Sequence, residues 1–162
     1  RRLKMELRKI TFGNVDAVTS MAVREDQRGF VAPNVASLAQ AYVAVDNGST
    51  ARAFALYDGD EPVGFVMFGY NSLGDWDDPP IAAGNYCLWR FMIDRRYQGR
   101  GLGKEAMRAC IDYLRTRPLG PGDNVWLSYE PENTVARGLY HKFGFVENGE
   151  MCGEEIVAVM PL

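Results

Sequence analysis

The chain has 162 residues, a length that suits one domain spanning 1–162, and is 47% hydrophobic and 24% charged. That balance excludes a disordered chain, a collagen-like fibre and a coiled-coil rod, and a chain of this size can bury a core without disulfides or a structural metal. The formal net charge of −3 argues against nucleic acid as a partner. No apolar run reaches the roughly 18 residues of a membrane span, so a soluble protein with no membrane partner is expected. Arg1 to Thr11 lacks the apolar core of a signal peptide. Cys87, Cys110 and Cys152 are odd in number and widely spaced, which argues against a disulfide framework or a zinc site and for a reducing, cytoplasmic setting. The one histidine, His141, cannot form a metal cluster alone.

In chain order, Met5 to Ile10 reads as a strand, and Asn14 is placed to cap a helix from Val15 to about Val23. Glu25 to Pro33 is irregular, and a second helix runs from Val35 to Val43. Ala53–Tyr57 and Pro62–Tyr70 flank Asp58-Gly59-Asp60, a turn signal, and form an antiparallel hairpin. Asn71 to Asn85 is a polar loop with Asp75, Trp76, Asp77 and Asp78. Tyr86 to Ile93 is nearly continuously apolar, as a central strand buried on both faces should be. Gly101 to Arg117 is helical, with Leu102, Ala106, Cys110 and Leu114 on one face. Val125–Tyr129 is a strand, and Thr134–Phe143 is a helix with Val135, Leu139 and Phe143 on its buried face. Strands near Phe145–Cys152 and Glu155–Met160 end the chain. The order β-α-α-β-β-β-α-β-α-β-β describes a mixed α/β domain in which the central strand and the one after the long helix run parallel.

Charge is uneven along this order. Asp94 to Arg108 is locally +3, which leaves the other residues at −6. One anion site on an otherwise acidic protein fits a phosphate-bearing cofactor and a cationic second substrate; a solvated basic helix face is the plainer alternative. Within that segment lies Gln98-Gly99-Arg100-Gly101-Leu102-Gly103, between a buried strand and a long helix. Three glycines let backbone N–H groups turn inward where the helix N-terminus adds partial positive charge, an arrangement suited to phosphate; a glycine-rich strand-to-helix turn with no ligand is the alternative. It is neither a Walker loop, since Gly-Lys-Ser/Thr is missing, nor the dinucleotide fingerprint. Downstream, Asn133 is placed as a helix N-cap, Tyr140 lies about two turns along the same face, and Phe143-Gly144-Phe145 ends the helix at a glycine. His141 points away from Tyr140 and reads as a surface residue.

Gln-x-x-Gly-x-Gly after Phe91-Met92-Ile93-Asp94, followed some thirty residues on by Asn-x-x-Ala-x-x-x-Tyr-x-x-x-Gly-Phe, resembles the GCN5-related N-acetyltransferases over nearly the whole chain. The segments from Glu25 to Asn34, Arg90 to Asp94 and Ser128 to Asn133 look like the bacterial spermine/spermidine-type members, although the loop from Asn71 to Asn85 is longer than theirs. The resemblance implies a mixed, mostly antiparallel central sheet flanked by helices, with splayed central parallel strands. It implies acetyl-CoA as donor, no metal, a small-molecule amine as the second substrate, and a homodimer as the family's habit.

By position, the N–H groups of Gln98, Gly99, Arg100, Gly101, Leu102, Gly103 and Lys104 would cradle the pyrophosphate. Phe91, Met92 and Ile93 would lie beside the pantetheine arm, with Asn133 bonded to it and Ala136 adjacent. An attacking amine must be neutral, so it needs a proton acceptor, and Glu130 at the end of its strand is the candidate. The developing oxyanion needs a donor, the N–H of Met92 or Ile93, and the leaving thiolate needs a proton, which Tyr140 can give. No cysteine nucleophile is required, so the three cysteines read as buried fillers. Glu25, Asp75, Asp77 and Asp78 are candidates for a polycation's remote charges, and Phe30, Trp76 and Trp89 for its methylenes. Spermidine or spermine is the first expectation for the amine and an aminoglycoside the second. A protein N-terminus or lysine is third, and a non-catalytic acyl-CoA-binding module is the alternative from outside enzymology.

Overall fold

The computed structural model describes residues 4–72, 74 and 76–162. Seven strands form one sheet: β1 (Met5–Lys9), β2 (Ala51–Asp58), β3 (Glu61–Tyr70), β4 (Tyr86–Ile93), β5 (Asn124–Tyr129), β6 (Val146–Cys152) and β7 (Glu155–Pro161), in the order β1-β2-β3-β4-β5-β7-β6. Every neighbouring pair is antiparallel except β4 and β5, which are parallel as the sequence order required. The helices are α1 (Val15–Ser20), α2 (Asn34–Asp46), α3 (Leu102–Arg115) and α4 (Thr134–Phe143).

The two faces of the sheet carry different cores. On one, α3 lays Leu102, Ala106, Met107, Cys110, Ile111 and Leu114 against Phe68, Leu88, Val125 and Leu127, with Tyr140 and Phe143 of α4 packed alongside. The expected stripe on α3 is thus the buried one. On the other, Val18, Met21 and Val23 meet Phe65, Met67 and Met92, with Leu38 and Ala41 of α2 at the margin. This core continues through Trp89 to Ala82, Cys87, Trp126 and Val157.

Several local expectations are corrected. α1 stops at Ser20, because Met21 and Val23 are extended and buried, and Ala22 accepts from the Arg95 N–H at 2.8 Å. Asn14 stands at the N-cap position without capping: its Oδ1 accepts from the Thr11 N–H and its Nδ2 donates to the Lys9 carbonyl. α2 continues to Asp46, three residues beyond the expected end. Val135 is 74% exposed, because α4 packs by its C-terminal half. The loop after β3 contains a short 3₁₀ turn at Pro80–Ala82 whose Ala82 is buried. Among the described residues no helix is long and apolar enough to cross a membrane.

Candidate active site

β4 and β5 pair only at Tyr86↔Val125 and Cys87↔Trp126 and then part. β4 stays bonded to β3 as far as Ile93, and β5 stays bonded to β7 as far as Tyr129. The opening belongs to a cleft of about 980 Å³ that runs through the sheet from the α3/α4 face to the α1/α2 face.

Strand parity decides which peptide groups face the opening. The Asp94 N–H donates to Val63 O at 2.8 Å, so Asp94 is turned toward β3, and the antiparallel register carries this to Met92 and Arg90. At the other end the Asn71 N–H donates to Asn85 O, which turns Asn85 and Cys87 toward β3. The register slips between Met67 and Phe68, leaving Trp89 as an extra residue. This bulge switches parity. Tyr86 and Leu88 face β5 before it; Phe91 and Ile93 face the opening after it. Of the two expected oxyanion donors, Met92 is therefore excluded: its N–H is used in the β3 ladder and its side chain is buried on the α1/α2 face. The Ile93 N–H has no acceptor among the described residues, while its carbonyl accepts from Gln98 Nε2 at 2.9 Å. Gln98 Nε2 also donates to Gln27 Oε1 at 3.0 Å, tying the glycine loop to the segment after α1.

The glycine loop is built to receive a ligand. Among the described residues, no acceptor takes the N–H groups from Gln98 through Lys104. A Cβ at Gly99, Gly101 or Gly103 would meet nothing within 4 Å. Gly101 is left-handed at φ 77°, which turns the chain into α3. Gln98, Gly99, Gly101, Leu102 and Gly103 line the cleft; the side chains of Arg100 and Lys104 do not. The residues present thus suit a polyanion, with its negative charge on the N-terminus of a 14-residue helix.

On the α3/α4 side, Asn133 caps α4 by accepting from the Ala136 N–H at 3.4 Å, and Gly144 ends the helix at φ 107°. Between them the Tyr140 ring stacks on Tyr129 at 6.0 Å and meets Phe145 edge-on at 5.9 Å. Its hydroxyl makes no hydrogen bond with the described residues. Burial, then nearby Cys110, Glu155 and Tyr129, push its pKa up to about 12. Tyr129 in turn donates to Glu147 at 2.6 Å, and Glu147 pairs with Arg137 at 2.8 Å, which fastens α4 to β6.

On the α1/α2 side stand Phe30, Trp76, Asp77, Asp78, Trp89 and Glu130, all lining the cleft as expected. Trp76 and Trp89 pack with centroids 5.0 Å apart. Glu25 is a correction: it lies exposed on a 3₁₀ turn at Glu25–Gln27 and does not line the cleft, because that turn points Gln27 inward and Glu25 outward. Asp75 lies outside the described residues. Cys152 corrects another expectation: it is partly exposed, lines the cleft and donates to the Trp76 carbonyl at 3.9 Å.

Three cleft residues escaped the sequence reading. Ser128 Oγ donates to Glu155 at 2.7 Å, and Arg90, half-buried, donates to Gln40 at 2.9 Å. Burial lowers the Arg90 pKa from its ordinary value and Glu155 pulls it back up. Lining carboxylates (Asp77, Asp78, Glu130, Glu154, Glu155) outnumber lining guanidiniums (Arg28, Arg90) among the described residues.

Residues 22–145 match the family described as the acetyltransferase (GNAT) family. The chain belongs to that family. It is an acyltransferase, an acetyl-CoA-dependent N-acetyltransferase of the GNAT type. It is 31% identical over 157 residues to the spermine/spermidine N(1)-acetyltransferase of Bacillus subtilis, covering 96% of this chain and 97% of that one. Two solved structures share the fold. The aminoglycoside acetyltransferase AAC(6′)-Ib in complex with coenzyme A and kanamycin has a TM-score of 0.74 and 19% identity, covering 98% of this chain and 95% of that one. The PaiA N-acetyltransferase of Thermoplasma acidophilum in complex with coenzyme A has a TM-score of 0.67 and 13% identity, covering 99% and 100%. Among the described residues no group of histidine, cysteine and carboxylate side chains is placed to hold a metal.

Proposed function

We propose that the enzyme acetylates a primary amine of a small polycation of the spermidine or spermine type, and that residues 1–162 work as one acetyltransferase domain. The similarity to the Bacillus subtilis enzyme along almost the full length of both chains carries this reading. The carboxylate excess on the α1/α2 side of the cleft supports it, since paired ammonium groups gain both steering and direct contact there.

In this reading the N–H groups of Gln98 to Lys104 hold the pyrophosphate, and Phe91 and Ile93 pair with the pantetheine amides as an added strand would. Asn133 and Ala136 flank the arm. Acetyl-CoA supplies an acyl carbon activated as a thioester. The chain's own residues do the rest. A gap-facing N–H, from Phe91 or Ile93, stabilises the oxyanion. Tyr140, protonated at every pH below about 12, gives a proton to the departing sulfur. A carboxylate on the opposite face of the sheet, Glu130 or its neighbour across the strands, takes the proton from the amine. Asp77 and Asp78 receive the remote ammonium groups, while Phe30, Trp76 and Trp89 cover the methylenes.

The test is an amine panel assayed by thiol release, with polyamines, aminoglycosides, lysine peptides and neutral monoamines. The expected order places spermidine and spermine first and neutral amines last. Turnover of aminoglycosides or peptides with inert polyamines would replace the polyamine reading while leaving acetyl transfer intact.

A further inference from the structure

We infer that Ser128 and Glu155 form the proton exit of the amine site, Ser128 Oγ receiving the amine proton as it passes its own to Glu155. The inference rests on the acetyltransferase reading above and deepens it by choosing between the two carboxylates. Glu155 opens β7 and Ser128 lies near the end of β5, on strands that pair Ser128↔Val157 and Tyr129↔Ile156. Ser128 and Glu130 share the side-chain face of Trp126, whose core lies on the α1/α2 side, and Glu155 shares the face of Val157 in that same core. The dyad therefore stands on the acceptor side, at the level where β5 has left β4, with Tyr140 across the sheet.

The hydrogen bond sets the direction of transfer. At 2.7 Å Ser128 Oγ is the donor and the Glu155 carboxylate the acceptor, which leaves the serine oxygen to accept an incoming N–H beside the Cys152 thiol, the other side chain in hydrogen-bonding reach of Ser128. Glu130 has no side-chain hydrogen bond within the described residues to orient it. Glu155 is also the carboxylate whose charge reaches both ends of the reaction: it acts on Tyr140 of α4, on Arg90 of β4 and on Cys152 of β6. Asp77 and Asp78 act on the same Cys152 thiol from the loop side. Arg90 is the cation on the β4 side of this group, and its own guanidinium pKa is pulled up by the Glu155 charge.

The protons balance. The ammonium gives one proton to Ser128 Oγ while the serine proton moves to Glu155, and the neutral nitrogen then forms the N–C bond as the C–S bond breaks. Tyr140 gives its proton to the sulfur and is made whole, through solvent, by the second proton that the nitrogen sheds on becoming an amide. The products are one amide, one thiol and one proton on Glu155, which solvent removes.

The test compares kcat and kcat/KM of Glu155→Gln, Ser128→Ala, Ser128→Thr and Glu130→Gln between pH 7 and 9.5, on whichever panel amine the parent turns over. Failure of the polyamine reading then leaves the comparison intact. Calorimetry with acetyl-CoA reports whether each variant keeps its fold, and Glu155→Asp stands in should Glu155→Gln not fold. Glu155→Gln should lower kcat about 10²-fold or more at pH 7.5, the range for general base catalysis. Its deficit should shrink roughly 100-fold by pH 9.5, because solution then supplies the neutral form of an amine with a pKa near 10.4. Ser128→Ala should show a smaller deficit of the same pH dependence, which Ser128→Thr restores. A deficit constant across pH, or one that appears in Glu130→Gln and not in Glu155→Gln, overturns the proposal.

Discussion

Gly103 is the second residue of α3, and replacing it with glutamate should separate stability from function. Glycine inside a helix costs roughly 0.5–1 kcal/mol against an ordinary residue. Here nothing in the fold demands it: a Cβ at Gly103 meets no atom within 4 Å, and its backbone is not left-handed. Glutamate in the first turn also gains about 0.3–1 kcal/mol from the helix dipole. Together these raise Tm by about 2–8 °C for a chain of this size. The same carboxylate would stand among the loop N–H groups that no acceptor takes among the described residues, where like charge against the proposed pyrophosphate would cost several kcal/mol. Acetyl-CoA affinity should fall about 100-fold or more by calorimetry while differential scanning shows a firmer fold. Gly101→Glu makes the contrast: φ 77° costs an L-residue roughly 1–2 kcal/mol, so that variant loses both stability and affinity. Unchanged affinity in folded Gly103→Glu would move the pyrophosphate site elsewhere. A large drop in Tm would refute the argument that this glycine serves the ligand rather than the fold.

Tyr140→Phe keeps both ring contacts and removes only the hydroxyl, so kcat should fall about 10²–10⁴-fold with the acetyl-CoA Kd within about twofold of the parent. Because burial raises the Tyr140 pKa to about 12, the parent's kcat should show no descending limb from this group through pH 10, and a limb near 9 that vanishes in Tyr140→Phe would contradict the assignment. Amide hydrogen exchange by NMR should find Met92 protected in the free enzyme and Phe91 and Ile93 fast, with the latter two slowing once acetyl-CoA is added. Equal protection of all three in the free enzyme would refute the strand parity.

The elements were legible where one period dominates. β4 announces itself as an apolar run, and α3 as a stripe repeating every four residues, because each is set by burial along its own length. The glycine loop was legible as a strand–turn–helix boundary, a local fact, whereas Tyr140 was singled out by the family resemblance. What the sequence hid depends on distant partners. Ser128 and Glu155 are 27 residues apart and meet only because β5 and β7 pair. The Trp89 bulge leaves no mark inside an apolar strand, so Met92 and Ile93 looked equivalent until the register separated them. Glu25 looked like a cleft residue from its neighbours, yet the turn at Glu25–Gln27 points Gln27 inward and Glu25 outward. Arg90 was read only as part of a family-like segment, since neither its burial nor its Gln40 partner, 50 residues away, is visible in one dimension.

In the proposed reading the acid and the base of the reaction need opposite surroundings, and the two faces of the sheet differ in that way. The sulfur's proton donor should stay protonated, which favours the aromatic, desolvated side where Tyr129 and Phe145 enclose Tyr140. The amine's proton acceptor should be a carboxylate open to the amine, which the polar side offers where Glu155 accepts from Ser128. In that reading, one gap between two strands would let both groups reach a single carbonyl. The gap resists closing because each bordering strand is committed outward, β4 to β3 and β5 to β7. Both borders are therefore sheet edges held inside the protein, with N–H and C=O groups that a second strand would otherwise satisfy. The bulge at Trp89 decides which of them point into the gap. In the proposed reading, a donor carrying amides along an extended arm would complete that interrupted ladder, and the unpaired backbone that costs stability in the free enzyme would become the register that sets the thioester between Tyr140 and the Ser128–Glu155 pair.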